Sequence, residues 1–196
     1  MVDAGEFRER IEVLKLEQDA AGSRWAADRT VWAKAEQQDK NNLFSTVGIG
    51  ARSVLFTLRR QPLTLHNAFR WKERHCFLTA IKEIDRMYLE VRAALVEPVP
   101  CTAFRMVETA GADKAPARTL ERLVEFPAIL TEKYLGFVQN VPMAQTETTY
   151  VLVTPKRIEL READLVDVAG GRYAVRVCHT LDEYKNEYEI HRKKDL

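Results

Sequence analysis

Apolar residues recur two apart along most of this chain, and in places the phase slips. In FRERIEVLKLEQ, residues 7–18, Phe7, Ile11 and Val13 share one side, and Leu14 and Leu16 then take the other. A one-residue slip in a period-two pattern predicts a strand with a β-bulge, because one extra residue exchanges the two faces. The turn chemistry of Asp19-Ala20-Ala21-Gly22-Ser23 follows. TVWAKAEQQ (30–38) sets Val31, Ala33 and Ala35 against polar neighbours, and SVLFTLRR (53–60) does the same with Val54, Phe56 and Leu58. HCFLTAI (75–81) is apolar on both faces and predicts a buried strand. In MYLEVRAALV (87–96), Met87, Leu89, Val91, Ala93 and Leu95 are predicted to face inward.

The texture then changes. Pro98 and Pro100 cannot donate to a ladder, and residues 105–118 are small and polar, so a linker over 104–118 is expected. A second series of strand patterns follows: FPAILT, TTYVLV, RIEL, ADLVDV, RYAVRV and NEYEIHR. Helical signal is confined to a turn or two in NNLFSTVG (41–48) and LERLVEF (120–126). The expected fold is mainly β, with two small antiparallel barrel or sandwich domains, 1–103 and 119–196, and few short helices. The halves also echo each other. ERHCFLTAI, a turn and MYLEVR close the first half; GRYAVRVCH, a turn and EYEIHR close the second.

That last segment pairs Cys178 with His179 and ends in an acidic, aromatic run, as a reactive site would. On a regular strand Tyr173, Val175, Val177 and His179 point one way, and Ala174, Arg176, Cys178 and Thr180 the other. Neighbouring Cys and His therefore diverge, and His75–Cys76 diverge likewise, so no zinc-type ligand set forms from them. In NEYEIHR, Tyr188 and Ile190 are expected in the core, with Glu187, Glu189 and His191 in water. The stretch reads as a hairpin.

Composition alters this picture little. Hydrophobic residues make up 46% of 196, enough for a packed core. Formal net charge is +1, divided as 16 basic and 14 acidic residues over 1–103 and 14 and 15 over 104–196, so no general basic excess calls for nucleic acid. The one local bias lies in 52–74, where Arg59, Arg60, Arg70 and Lys72 are candidate basic contacts. Cys76, Cys101 and Cys178 form no disulfide framework. MVDAGEFRER holds no apolar run, so neither signal peptide nor membrane span is expected. Phosphate-binding glycine loops, GxSxG and HExxH are absent from the sequence, and no catalytic residue, metal or cofactor is assigned. Trp25, Trp32 and Trp71 suit either the ends of a small β-core or base stacking.

Three segments carry a family resemblance. They are Gly5-Glu6-Phe7-Arg8-Glu9-Arg10-Ile11, a glycine turn with Gly22 and Trp25, and Val31-Trp32-Ala33, followed by a long polar segment and a closing hairpin. Over residues 1–97 this order resembles the head–tail joining, or head-closure, proteins of tailed bacteriophages. LFTLRRQPLT departs from that family's usual sequence before its last hairpin. The second half, with FPAILTEKYLGF and TETTYVLVTPK, resembles a domain of minor structural proteins of phages and prophages. The resemblance implies a non-enzymatic virion protein of the neck, assembled in the bacterial cytoplasm as a homo-oligomeric ring, commonly a hexamer. Its implied partners are portal or adaptor proteins, tail terminator or tail tube proteins, and packaged double-stranded DNA, with no membrane. It also projects a channel or inter-subunit loop onto Asn41, Leu43, Phe44, Val47, Gly48, Ile49, Gly50 and Arg52; an ordinary surface loop is the alternative. Two rival readings stand beside it. One is a tail terminator ring; the other is an OB-like single-strand binder using Trp25, Trp32 or Trp71 with Arg59 and Arg60.

Overall fold

The computed structural model describes residues 4–20, 22–41, 51–64, 66–84, 86–110, 116–132 and 149–193. It is almost entirely β, as the alternation predicts. After a short helical turn, Ala4–Glu6, come β1 (Glu9–Gln18), β2 (Ser23–Asn41), β3 (Ala51–Arg59), β4 (Asn67–Trp71), β5 (Arg74–Glu83) and β6 (Tyr88–Val96). These close an antiparallel barrel in the order β1-β2-β3-β6-β5-β4. Next come β7 (Val99–Ala110), β8 (Pro116–Glu132), β9 (Thr149–Pro155), β10 (Leu165–Val168), β11 (Gly171–His179) and β12 (Lys185–Arg192). They close a second barrel as β7-β8-β9-β12-β11-β10, the first order repeated strand for strand.

The likeness extends to irregularities. In the first strand pair the ladder slips between Val13 and Leu14, leaving Asp28 of β2 unpaired; its counterpart slips between Ala103 and Phe104, leaving Leu123 of β8. In the fifth and sixth strands, Thr79 of β5 and Arg176 of β11 are the extra residues. Bulges change which face each following side chain takes, so matched bulges give the two barrels matched inner and outer faces. The echo between the two closing hairpins is therefore a true equivalence: both are strands five and six of their barrels.

Each barrel has its own core. Ile11, Val13, Phe56, Phe69, Trp71 and Val91 pack in the first, where Phe56 meets Phe69 and Trp71 edge to face. Phe126, Leu152, Val166, Val175, Tyr188 and Ile190 pack in the second. The connection between the third and fourth strands plugs each barrel, with Leu63 in the first and Ile158 and Leu160 in the second. In the second, the Tyr188 hydroxyl donates to the Ile158 carbonyl at 2.9 Å and accepts from Leu160 N–H at 3.0 Å. Asn186 Nδ2 adds bonds to the Lys156 and Ile158 carbonyls.

The barrels also pack on each other. Leu14, Ala68, Phe77 and Ala94 form one row across the outer face of β1, β4, β5 and β6. Phe77 and Ala94 meet Val151 and Val153 of β9, with Val96 and Ile129 alongside. Ile81 N–H donates to the Tyr184 hydroxyl at 3.0 Å. Gly22, in the β1–β2 turn, makes a parallel bridge to Glu125 of β8. A Cβ there would lie 2.3 Å from the Glu125 carbonyl oxygen, so only glycine permits this approach.

Several expectations are corrected. Residues 104–118 are not a linker: 104–110 and 116–118 belong to the paired strands β7 and β8, and the barrels join at Glu97-Pro98. Small and polar residues can pair in a ladder exposed on both faces, so composition misled there. LERLVEF is not helical but part of β8, because its partner strand supplies the backbone bonds. RIEL is no strand; side chains of Thr154, Asn186 and Tyr188, not a ladder, satisfy its backbone. Met87 is 63% exposed and precedes β6 instead of facing inward. Past the Arg176 bulge the faces exchange, so Cys178 packs against the core and Val177 does not. Glu187 is buried, not in water, and pairs with Lys185 beside Val153 on the face turned to the first barrel.

Candidate functional site

The loop projected onto Asn41–Arg52 falls largely outside the described residues: Leu43, Phe44, Val47, Gly48, Ile49 and Gly50 are not described. Asn41 ends β2, and Arg52 is exposed on β3.

The four basic candidates separate into two places. Arg70 lies on β4 and Lys72 in the tight turn after it. Arg70 pairs with Glu12 at 2.6 Å, and Lys72 with Glu9 at 3.2 Å. Lys72 also stands 4.4 Å over the Trp71 ring. Glu9 accepts the Trp71 indole N–H at 2.9 Å, and that bond, with the Lys72 ammonium, holds its carboxyl below the ordinary range. Trp71 is 4% exposed, which makes it a core residue and excludes it as a stacking platform. Arg70 and Lys72 thus hold β1 to the β4–β5 turn.

Arg59 ends β3 and Arg60 follows it at the other place, beside Trp32. Trp32 lies on β2 between the inward Val31 and Ala33, so alternation turns it outward, and it is 60% exposed. Phe7, Val31, Trp32, Arg59, Arg60 and Gln61 line a cleft of about 590 Å³. Its walls are held from several sides. Phe7 stacks on Tyr88 at 5.6 Å, Arg60 pairs with Glu83 at 2.8 Å, and Arg29 donates to Gln61 Oε1 at 2.9 Å and to the Pro62 carbonyl. The structure therefore brings Trp32, Arg59 and Arg60 together, while Trp25 rests apart against His75 with ring centroids 5.3 Å apart. The sequence contained the clue to Phe7 in its place two residues before β1, but nothing in it tied Phe7 to Trp32.

The groups that first suggested chemistry are dispersed. Cys178 Sγ lies 3.7 Å from the Leu160 carbonyl, while His179 faces out and contacts Glu189 at 3.2 Å. Burial pushes the thiols of Cys76 and Cys101 up to about 12 and raises that of Cys178. At these values none is a thiolate near neutral pH. Among the described residues no three His, Cys, Asp or Glu side chains stand close enough to hold a metal ion.

A further exposed apolar strip lies on the β7–β8 hairpin, where Met106 is 51%, Leu120 40% and Leu123 37% exposed. Met106 and Leu120 are direct cross-strand partners. No family model, curated protein or solved structure matches this chain.

Proposed function

We propose that this chain is a structural protein of a tailed phage that assembles at the head–tail junction, closes the filled capsid and receives the tail. The observation that carries the reading is that the resemblance-bearing segments are neighbours in one closed barrel. Gly5–Ile11 leads into β1, Val31–Ala33 crosses the middle of β2 beside it, and the closing hairpin is β5–β6. Such a protein works through surfaces, and exposed apolar side chains lie here on β2 (Trp32), on the β7–β8 hairpin (Met106, Leu120, Leu123) and in the turns that hold Ile84, Met87 and Leu181. A near-neutral chain suits a channel through which DNA slides, because strong phosphate neutralisation would retard it. The test is electron microscopy of phage particles with labelled protein: the label is expected at the neck of filled heads. Label on isolated tails assigns a tail terminator, and no label on particles removes the reading.

The cleft supports a second reading, single-stranded nucleic-acid binding, since an exposed indole beside Arg59 and Arg60 is the arrangement that stacking and phosphate contacts use. An oligonucleotide titration followed by tryptophan fluorescence at several salt concentrations separates the two. Salt-sensitive quenching abolished by Trp32→Ala favours nucleic acid, and its absence favours the neck.

A further inference from the structure

Trp32 stands in a row that crosses the outer face of the first barrel. On β1 its cross-strand partner is Arg10. The β2–β3 ladder ends at Ala33–Leu58, so the next residue along each strand, Trp32 and Arg59, meet at its end. Arg59 in turn faces Tyr88 of β6. Ile11, Ala33, Leu58 and Leu89 beside them are buried inward, so alternation turns all four members of the row outward. The order is guanidinium, indole, guanidinium, phenol on four adjacent strands, each about 4.8 Å from the next.

The cations around this row differ in what neutralises them. Lys34 pairs with Glu6 at 2.9 Å and Glu36 at 2.8 Å, Arg60 with Glu83 at 2.8 Å, and Arg29 with Asp28. Arg10 and Arg59 are exposed, and among the described residues no carboxylate pairs with either. A guanidinium in that state, next to an exposed indole, suits a phosphate whose neighbour is a flat ring. The row offers one stacking face, not several. Phe7 covers Tyr88, with ring centroids 5.6 Å apart and planes 17° apart, and the next outward row, Lys34, Thr57 and Glu90, holds no ring. The carboxylates of Glu6, Glu36, Glu83 and Glu90 border the place on both sides, which disfavours a long polyanion laid across it and leaves room for a single anionic group. The 590 Å³ cleft is of the size that small-molecule ligands use.

We propose that the cleft at Trp32 binds a single nucleoside monophosphate, its base stacked on the indole and its phosphate taken by Arg59, with Arg10 on the other side of the indole as the second cation. Gln61, held in the wall by Arg29, lies at the edge of the same cleft. Stacking tolerates any base, so the site selects for one ring with one phosphate and not for a sequence. It shares the cleft with the nucleic-acid reading but takes one nucleotide where that reading takes a strand, and it does not depend on the neck reading.

The test is calorimetric titration of the purified full chain with adenosine monophosphate, adenosine, inorganic phosphate and deoxyadenosine oligonucleotides of increasing length. Wild type is expected to bind one adenosine monophosphate per chain, and adenosine and phosphate each about tenfold or more weaker. Trp32→Ala is expected to weaken the monophosphate and adenosine alike, by about tenfold. Arg59→Gln is expected to weaken the monophosphate by about tenfold and to leave adenosine unchanged, since only the phosphate meets the guanidinium. Arg118→Gln, on the second barrel, is expected to bind as wild type does. Far-ultraviolet circular dichroism equal to wild type shows that the variants fold. Should one not, photolabelling of wild type with azidoadenosine monophosphate is expected to mark the peptides that hold Trp32 or Arg59–Gln61. Absence of monophosphate binding in wild type, binding that folded Trp32→Ala and Arg59→Gln both keep, or label elsewhere would overturn the proposal. Oligonucleotides that bind where the monophosphate does not, or whose affinity climbs steeply with length, also overturn it and leave the strand reading standing. If neither binds, both readings of the cleft fall.

Discussion

At the residue scale, His75 sets a pH dependence. It lies on β5 beneath Trp25, its Nε2 buried without a hydrogen-bond partner. Burial first, then the Arg70 charge, lowers its pKa from 6.5 to about 4. Below its ordinary value the unfolded chain binds a proton that the folded chain refuses. Stability is therefore complete above about pH 6.5 and falls as pH drops toward 4, by on the order of 3 kcal/mol over the window. Urea unfolding near neutral pH and at about pH 4.5 is expected to show this loss in wild type and a smaller one in His75→Gln. Equal losses remove His75 as the cause. The thiols give a second residue-scale expectation: buried Cys76 and Cys101 react with a disulfide reagent only on unfolding, and half-buried Cys178 reacts slowly in the native state. Val175 and Ile190, facing partners in the second core, are each expected to cost about 2–4 kcal/mol on truncation to Ala, measured by chemical denaturation.

At the scale of elements, the period-two pattern was legible wherever one face of a strand meets a core. The change of phase at Val13-Leu14 reads as a bulge in the first strand, but β1 runs regularly past β4 and the extra residue is Asp28 of β2; Leu14 and Leu16 are apolar because the outer face of β1 is buried too. The Arg176 bulge was not legible, because Arg176 looks like an ordinary outward residue and nothing in RYAVRVCH marks the change of face. Residues 104–118 were misjudged for a related reason. A ribbon exposed on both faces has no reason to alternate, and its sequence resembles that of a loop. The consequence is measurable. Proteolysis in the β7–β8 hairpin is expected to nick the chain without releasing a barrel, since β7 on one side of the cut pairs with β8 and β10 on the other. Size-exclusion chromatography should show one intact particle where a denaturing gel shows two pieces; two separately eluting fragments would contradict this arrangement. Of the site, Arg59 and Arg60 were legible as partners of a tryptophan, but not which of Trp25, Trp32 and Trp71 it is, because the proximity of Trp32 depends on the β2–β3 register.

At the scale of the whole molecule, the barrels share an apolar contact of Phe77 and Ala94 with Val151 and Val153, tied by the Tyr184–Ile81 bond and the Gly22–Glu125 approach. Sharing of this kind couples their unfolding. A single calorimetric transition is expected in wild type. Gly22→Ala, which forces a side chain against the Glu125 carbonyl, is expected to lower Tm and broaden or split that transition. Two transitions already in wild type would mean that the contact is too weak to couple them.

The joint between the barrels, Glu97-Pro98, has a practical consequence. No strand crosses it: β6 ends at Val96 and β7 starts at Val99, and each barrel closes using only its own strands. Severing the peptide there removes no ladder bond. The chain is thus a natural two-piece complementation system. Residues 1–97 and 98–196, made as separate polypeptides in one cell, should find each other through the Phe77–Val153 surface and purify as an equimolar pair, and a reporter divided between them should regain its signal. A charged residue at Val153 should abolish that signal while leaving each half able to close its own barrel.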